Sequence, residues 1–254
     1  MTPTLLVLAG LDPTGGAGLI ADAATARALG CYPLTIPTTL TVQNSLRFAS
    51  AAPVDPSYIA AAIDTLAAEF TFDTAKIGLV PAADGAWLDT VGPVVRQRCR
   101  HIVIDPVLKA TAAADAVGPN DAFLRFLSGP GTVITPNTRE LGLIADALGL
   151  AADTPAAMAR AVAIATGATV VVTFEAEKAL ILIAGPDRVT EIPVTLVPLE
   201  RPVHGTGCRF STALACGVAA GMPLPDAVKR AADHLTLLLG RLERFHPDGQ
   251  SYPV

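Results

Sequence analysis

The chain has 254 residues, of which 51% are hydrophobic and 16% are charged. It can therefore bury a large core, and a single domain spanning 1–254 is the simplest organisation. The net charge of −5, the pI near 5.3 and the 5% aromatic content argue against partners such as nucleic acid or an anionic membrane surface.

Apolar runs are shorter than the roughly 18 residues of a membrane span. The N-terminal stretch lacks the basic flank and cleavage pattern of a signal peptide, and it is interpreted as a first strand. The four cysteines form no Cys-x-x-Cys pair. This usage favours a reducing, cytoplasmic location.

Strand-like apolar runs and helical patterns alternate along the chain. An apolar run at 4–9 predicts a strand, and the pattern at 18–29 predicts a helix that stops at Gly30. Further strands are predicted at 33–40, 47–54, 75–80, 101–105, 132–135, 169–174, 179–184 and 188–194. Further helices are predicted at 55–69, 84–98, 121–127, from 138, and at 154–166, 208–220 and 224–244. The Ala-rich segment 108–119 is predicted to be a loop or lid.

This alternation is typical of an α/β fold. It predicts a three-layer α/β/α sandwich in which helices cover both faces of a mainly parallel sheet. The turn at 185–187 adds an antiparallel hairpin late in the chain. In such sheets ligands bind beyond the carboxyl ends of the strands.

Glycine-rich and polar motifs fall at these predicted strand ends. They are the glycine-rich turn 10–18, Gln43-Asn44, Lys76-Ile77-Gly78, Asp105-Pro106, Asn137 with Glu140, and the stretch 204–208. Each has a purely structural alternative, such as a tight turn, a strand end or a helix capping box. Their occurrence on one edge of one sheet favours a functional site.

The stretch His204-Gly205-Thr206-Gly207-Cys208 opens directly into a predicted helix. A glycine-rich turn before a helix presents unpaired N–H groups and the positive end of the helix dipole, which predicts an anion site. The same helix start is expected to lower the pKa of the Cys208 thiol. Alternatively, the glycines only allow close packing and Cys208 is a small buried residue.

Together these motifs resemble a known family. The opening Ala9-Gly10-Leu11-Asp12-Pro13-Thr14-Gly15-Gly16-Ala17-Gly18 and the later motifs at 41–44, 76–78, 105–107, 135–140 and 204–208 follow the order found in hydroxymethylpyrimidine and phosphomethylpyrimidine kinases. These belong to the ribokinase superfamily and serve thiamin biosynthesis. The resemblance implies a ribokinase-like fold, a homodimer, and transfer of the ATP γ-phosphoryl group to the hydroxymethyl group of an aminopyrimidine or to its monophosphate.

The resemblance also implies a substrate pocket. Gln43 would read the pyrimidine edge, a role suited to an amide that offers a donor and an acceptor side by side. Asp22 and the backbone around Gly10 and Ala17 would complete the pocket, with Val107 as an apolar wall.

The implied catalytic groups lie on the phosphate side. Cys208 would act as general base, and the N–H groups of 205–208 (Gly205, Thr206, Gly207, Cys208) would receive charge from the transferring phosphoryl group. Asp105 and Glu140 would hold Mg²⁺, partly through water and with help from Asn137. The implied nucleotide-binding residues are Asn137, Lys109 and Thr173.

Two segments depart from the family pattern. The sequence Thr-Phe-Glu-Ala-Glu-Lys at 173–178 replaces the usual Lys-Gly-Gly-His, and an Ala-rich segment at 108–114 replaces a Ser-Gly loop, leaving Lys109 to supply charge. Losing a charged phosphate contact costs about 1.5–3 kcal/mol. Two alternatives therefore stay open: a pyridoxal-type kinase, and a catalytically weak domain that binds a pyrimidine as a sensor.

Overall fold

The computed structural model of the protein describes residues 2–81, 85–108, 119–175, 179–199 and 203–253. Its strands are β1 (Thr4–Leu11), β2 (Tyr32–Gln43), β3 (Phe48–Pro53), β4 (Thr74–Ile77), β5 (His101–Ile104), β6 (Thr132–Ile134), β7 (Thr169–Glu175), β8 (Leu180–Ala184), β9 (Val189–Pro193), β10 (Leu242–Glu243) and β11 (Tyr252–Pro253). Its helices are α1 (Gly18–Ala28), α2 (Pro56–Ala67), α3 (Gly85–Arg98), α4 (Asp121–Leu127), α5 (Thr138–Ala147), α6 (Pro155–Thr166), α7 (Thr206–Ala219) and α8 (Leu224–Leu239).

One nine-stranded sheet has the order β3-β2-β1-β4-β5-β6-β7-β8-β9. The pairings from β2 through β7 are parallel, and β3, β8 and β9 join antiparallel at the two edges. The predicted mainly parallel sheet is confirmed. The late hairpin of β8 and β9 is confirmed as well.

Helices cover both faces of this sheet, because the central strands are apolar on both sides. In β1, Leu6 and Leu8 join a core with α2 to α6, whereas Leu5, Val7 and Ala9 join a second core with α1, α7 and α8. Buried parallel strands read as such continuous apolar runs. The predicted α/β/α sandwich is therefore confirmed.

The C-terminal region differs from the prediction. The helix predicted at 224–244 ends at Leu239 with Gly240 as its C-cap, and β10 then pairs with β11. Glycine is a poor helix former, which explains the stop, and strands of two residues leave no periodic pattern to detect. Most of the predicted loop 108–119 lies outside the described residues. Among those described, no helix has the length and hydrophobicity that a membrane span requires.

Candidate active site

An open pocket of about 240 Å³ lies at the carboxyl ends of the parallel strands, in front of the start of α7. This is where open α/β sheets bind ligands. The residues that line it are Gly10, Asp12, Ala17, Gly18, Thr41, Gln43, Leu79, Asp105, Val107, Thr135, Asn137, Glu140, Thr173, Val203, His204, Gly205, Thr206, Gly207 and Cys208.

The start of α7 forms one wall of this pocket. Its N-cap Gly205 has φ +77°, a left-handed conformation in which a Cβ would also collide with the carbonyl oxygen of Gly16. No side chain of the described residues caps this helix end. The first N–H groups of α7 are therefore available to an anion, as the sequence predicts.

Cys208 lies in the first turn of α7, and its predicted pKa is wrong in direction. Burial, together with the nearby carboxylates of Asp105 and Asp22, raises the pKa of the thiol to about 12, although the Lys76 ammonium opposes them. The helix start alone is too weak to offset the loss of water around the sulfur. In the free protein Cys208 is therefore a thiol, and it lies close to the carboxyl group of Asp105.

A fully buried ion pair lies close to Cys208. Lys76 Nζ and Asp22 Oδ2 are 2.7 Å apart with both side chains 0% exposed, and the Thr212 hydroxyl donates to the same carboxylate at 2.8 Å. Burial lowers the pKa of Lys76, but Asp22, Cys208 and Asp105 together raise it above its ordinary value, so that the ammonium keeps its charge. Asp22 does not line the pocket, unlike the other predicted substrate-binding residues.

Asn137 and Glu140 form a helix capping box beside the pocket. The Asn137 side chain accepts from the Glu140 N–H at 2.9 Å, and Glu140 Oε2 accepts from the Asn137 N–H at 3.0 Å, which completes a capping box at the start of α5. Both residues also line the pocket. Burial and the nearby Asp105 charge raise the pKa of Glu140 to about 8.

The carboxylates of Asp105 and Glu140 suit a hard cation. Among the described residues no cluster of three or more His, Cys, Asp or Glu side chains could hold a metal alone. Mg²⁺ commonly binds one or two protein carboxylates and takes its other ligands from water and substrate phosphates. Asp105 and Glu140 line the same pocket, and burial raises the pKa of both carboxyl groups. A pair of carboxylates in one pocket fits this mode of Mg²⁺ binding.

A contact between Asp12 and His204 joins the loop after β1 to the turn before α7, although no catalytic role was predicted for either residue. His204 Nε2 lies 2.7 Å from Asp12 Oδ2, and Asp12 also accepts from the N–H groups of Thr14 and Ala17. The Tyr252 ring packs edge-on against the imidazole at 5.7 Å. The Asp-Pro-Thr sequence indicates a turn at Asp12. It does not indicate the contact with His204, which is 192 residues away.

Residues from other elements complete the lining of the pocket. Gln43 lies at the end of β2, and Gly10 packs so closely on Leu79 that an added Cβ would be 2.9 Å from it. Ala17 and Val107 also line the pocket. Of the residues predicted to bind the nucleotide, Asn137 and Thr173 line the pocket, whereas the segments 109–118 and 176–178, with Lys109, lie outside the described residues.

Comparison with known proteins identifies the family. Residues 12–254 match the family model described as phosphomethylpyrimidine kinase. The hydroxymethylpyrimidine/phosphomethylpyrimidine kinase of Rhizobium meliloti (strain 1021) is 30% identical over 252 residues, which cover 96% of this chain and 93% of that protein. The chain belongs to the phosphomethylpyrimidine kinase family. As a member of this family, the protein is a kinase.

Solved structures share the fold. The pyridoxal kinase of Bacillus subtilis in its ADP complex has a TM-score of 0.83 and 22% identity, with 100% of this chain and 97% of that chain covered. The phosphomethylpyrimidine kinase of Clostridium difficile 630 has a TM-score of 0.74 and 20% identity, with 93% and 99% covered. The expected ribokinase-like fold is thereby confirmed.

Proposed function

We propose that this kinase transfers the γ-phosphoryl group of ATP to 4-amino-5-hydroxymethyl-2-methylpyrimidine, to its monophosphate, or to both, in thiamin biosynthesis. The observation that carries the proposal is that one pocket is lined both by Gln43 and by the residues at the start of α7. A pyrimidine held by its polar edge at one end would present its hydroxymethyl group to the anion-binding end.

The pyrimidine end recognises a flat heteroaromatic ring. The Gln43 amide would pair with the adjacent donor and acceptor of an aminopyrimidine edge. Val107 supplies an apolar wall, and the backbone at Gly10 and Ala17 lets the ring approach closely. Asp22 would act on this end only through the position of α1, since its carboxylate is committed to Lys76.

Phosphoryl transfer would take place at the start of α7. The N–H groups of Gly205, Thr206, Gly207 and Cys208 would stabilise the charge on the transferring group. We assign proton removal from the hydroxymethyl oxygen to Cys208. In that role Cys208 would act as the thiolate, a form that the Lys76 ammonium favours, and it would become a thiol again on taking the hydroxyl proton.

The nucleotide would occupy the side of the pocket formed by Asn137 and Thr173, with Lys109 from the neighbouring segment. Asp105 and Glu140 would hold Mg²⁺, which when bound neutralises charge on the ATP phosphates. Cytoplasmic location and a homodimeric state are also proposed, on the resemblance alone. Size-exclusion chromatography with light scattering tests the dimer.

Calorimetric titration of the purified protein with hydroxymethylpyrimidine, with and without Mg-ATP, tests the proposed function when phosphate transfer is followed in parallel. Binding with transfer is the expected result. Binding without transfer would instead support the sensor alternative. Absence of pyrimidine binding would refute both, and pyridoxal in the same assay reports on the pyridoxal-type alternative.

A further inference from the structure

Arg209 occupies an electrostatically unfavourable position. It lies in the first turn of α7 and is only 7% exposed. A cation at a helix N-terminus opposes the helix dipole, and burying a charge costs free energy unless it is paired. The residue does not line the pocket, so no direct substrate contact explains its position.

The contacts of Arg209 join two walls of the pocket. Its Nη1 donates to the carbonyl oxygen of Gly16, in the loop between β1 and α1. A Cβ added at Gly205 would lie 2.7 Å from the same Nη1 and 3.0 Å from the Cα of Ala17. The guanidinium group therefore lies between the loop 16–17 and the turn that precedes α7.

The charge of Arg209 lies near the carboxylates of Asp22 and Asp12. Burial lowers the pKa of the guanidinium, but Cys208, Asp22 and Asp12 oppose that effect. An arginine side chain stays protonated at any pH the protein experiences. A permanent positive charge is thus held beside Gly205, the N-cap residue of α7.

We propose that Arg209 is a positioning residue for phosphoryl transfer. It holds the loop 16–17 against the Gly205 turn, and it places a fixed positive charge beside the anion-binding start of α7. The inference rests on the proposed function, because the anion in question is the transferring phosphoryl group. The Asp12–His204 contact at 2.7 Å joins the same two segments. Loss of Arg209 should therefore weaken the packing between these segments without separating them.

Three variants test this inference. Arg209→Lys keeps the charge, Arg209→Gln keeps a donor for Gly16 but removes the charge, and Arg230→Gln is a matched control. Arg230 is also partly buried and donates to a backbone carbonyl, that of Leu29, at 3.0 Å, but it lies away from the pocket. All variants are assayed with hydroxymethylpyrimidine and Mg-ATP, and their thermal midpoints are recorded.

Arg209→Gln is expected to lower kcat by about 10- to 100-fold with KM for both substrates changed less than about threefold, because misplacement of a catalytic wall acts mainly on the transition state. Arg209→Lys is expected to stay within about fivefold of the wild type. Arg230→Gln should leave kcat unchanged. Equal losses in Arg209→Gln and Arg209→Lys, or none in either, would overturn the proposal.

Calorimetry with inorganic pyrophosphate gives a readout that does not depend on the substrate. Arg209→Gln should weaken pyrophosphate binding by about tenfold, and Arg209→Lys by less than about threefold. If the wild type binds pyrophosphate but transfers no phosphate, the proposed function is refuted. The pyrophosphate affinities of the variants still test the role of Arg209 in that case. Equal pyrophosphate affinity in all variants would refute the role of its charge.

Discussion

Replacement of Lys76 by methionine should destabilise the protein strongly. The change removes the ammonium from an ion pair whose side chains are both 0% exposed and whose nitrogen and oxygen are 2.7 Å apart. The Asp22 carboxylate would be left in the core with the Thr212 hydroxyl as its remaining hydrogen-bond partner among the described residues. Leaving one buried charge uncompensated costs about 3–5 kcal/mol.

The expected effect can be read as a melting temperature. For a chain of this size each kcal/mol shifts the midpoint by roughly 2–4 °C, so Lys76→Met should melt roughly 6–20 °C below the wild type. The double variant Lys76→Met with Asp22→Asn should recover at least about half of that loss, because an amide is neutral and can still accept from Thr212.

Urea unfolding and thermal melts of the same variants provide the assay. The control is Lys229→Met, which breaks an i,i+4 pair with Asp233 whose side chains are both 64% exposed. It should unfold like the wild type, since exposed pairs contribute little. A Lys76→Met protein as stable as the Lys229→Met control, or a double variant no better than the single one, would refute the reasoning.

Three further predictions concern the pocket. Cys208→Ser should leave pyrimidine binding nearly unchanged and lower kcat by about 10²–10⁴-fold in steady-state assays; near wild-type turnover would exclude Cys208 as base. Gln43→Ala should weaken pyrimidine binding by about tenfold or more while ATP affinity changes little, as measured by calorimetry. Partners that include His204 hold the pKa of Asp12 below its ordinary value of 3.8 although burial opposes them, so its contribution to stability is present above pH 3.8 and is lost below it. The difference in melting temperature between wild type and Asp12→Asn should therefore shrink as pH falls from 6 to 3, and a constant difference would contradict this.

Local pattern was sufficient to predict the layers of the fold. Each central strand is an apolar run bounded by glycine or a polar turn, and those signals are contained within a few residues. The edge of the sheet where Gln43, Asn137 and Cys208 meet follows from the parallel arrangement alone. Asn137 also shows how a capping box and a pocket residue can coincide, which no local pattern distinguishes.

Interactions between distant residues could not be predicted. Lys76 pairs with Asp22 across 54 positions, and only its place in an otherwise apolar strand was a signal. The predicted direction of the Cys208 pKa shift was wrong because the shift depends on burial and on the carboxylates of Asp105, which follows β5, and Asp22, in α1. Arg209 gave no local sign of its contact with Gly16.

The most direct test of the account is the product formed from hydroxymethylpyrimidine and Mg-ATP, identified by mass spectrometry and compared with pyridoxal at equal concentration. The account predicts phosphorylation of the pyrimidine at its hydroxymethyl oxygen, with kcat/KM at least about tenfold higher than for pyridoxal, since Gln43 is matched to an aminopyrimidine edge. Preferential phosphorylation of pyridoxal, or bound pyrimidine that is never phosphorylated, would contradict it.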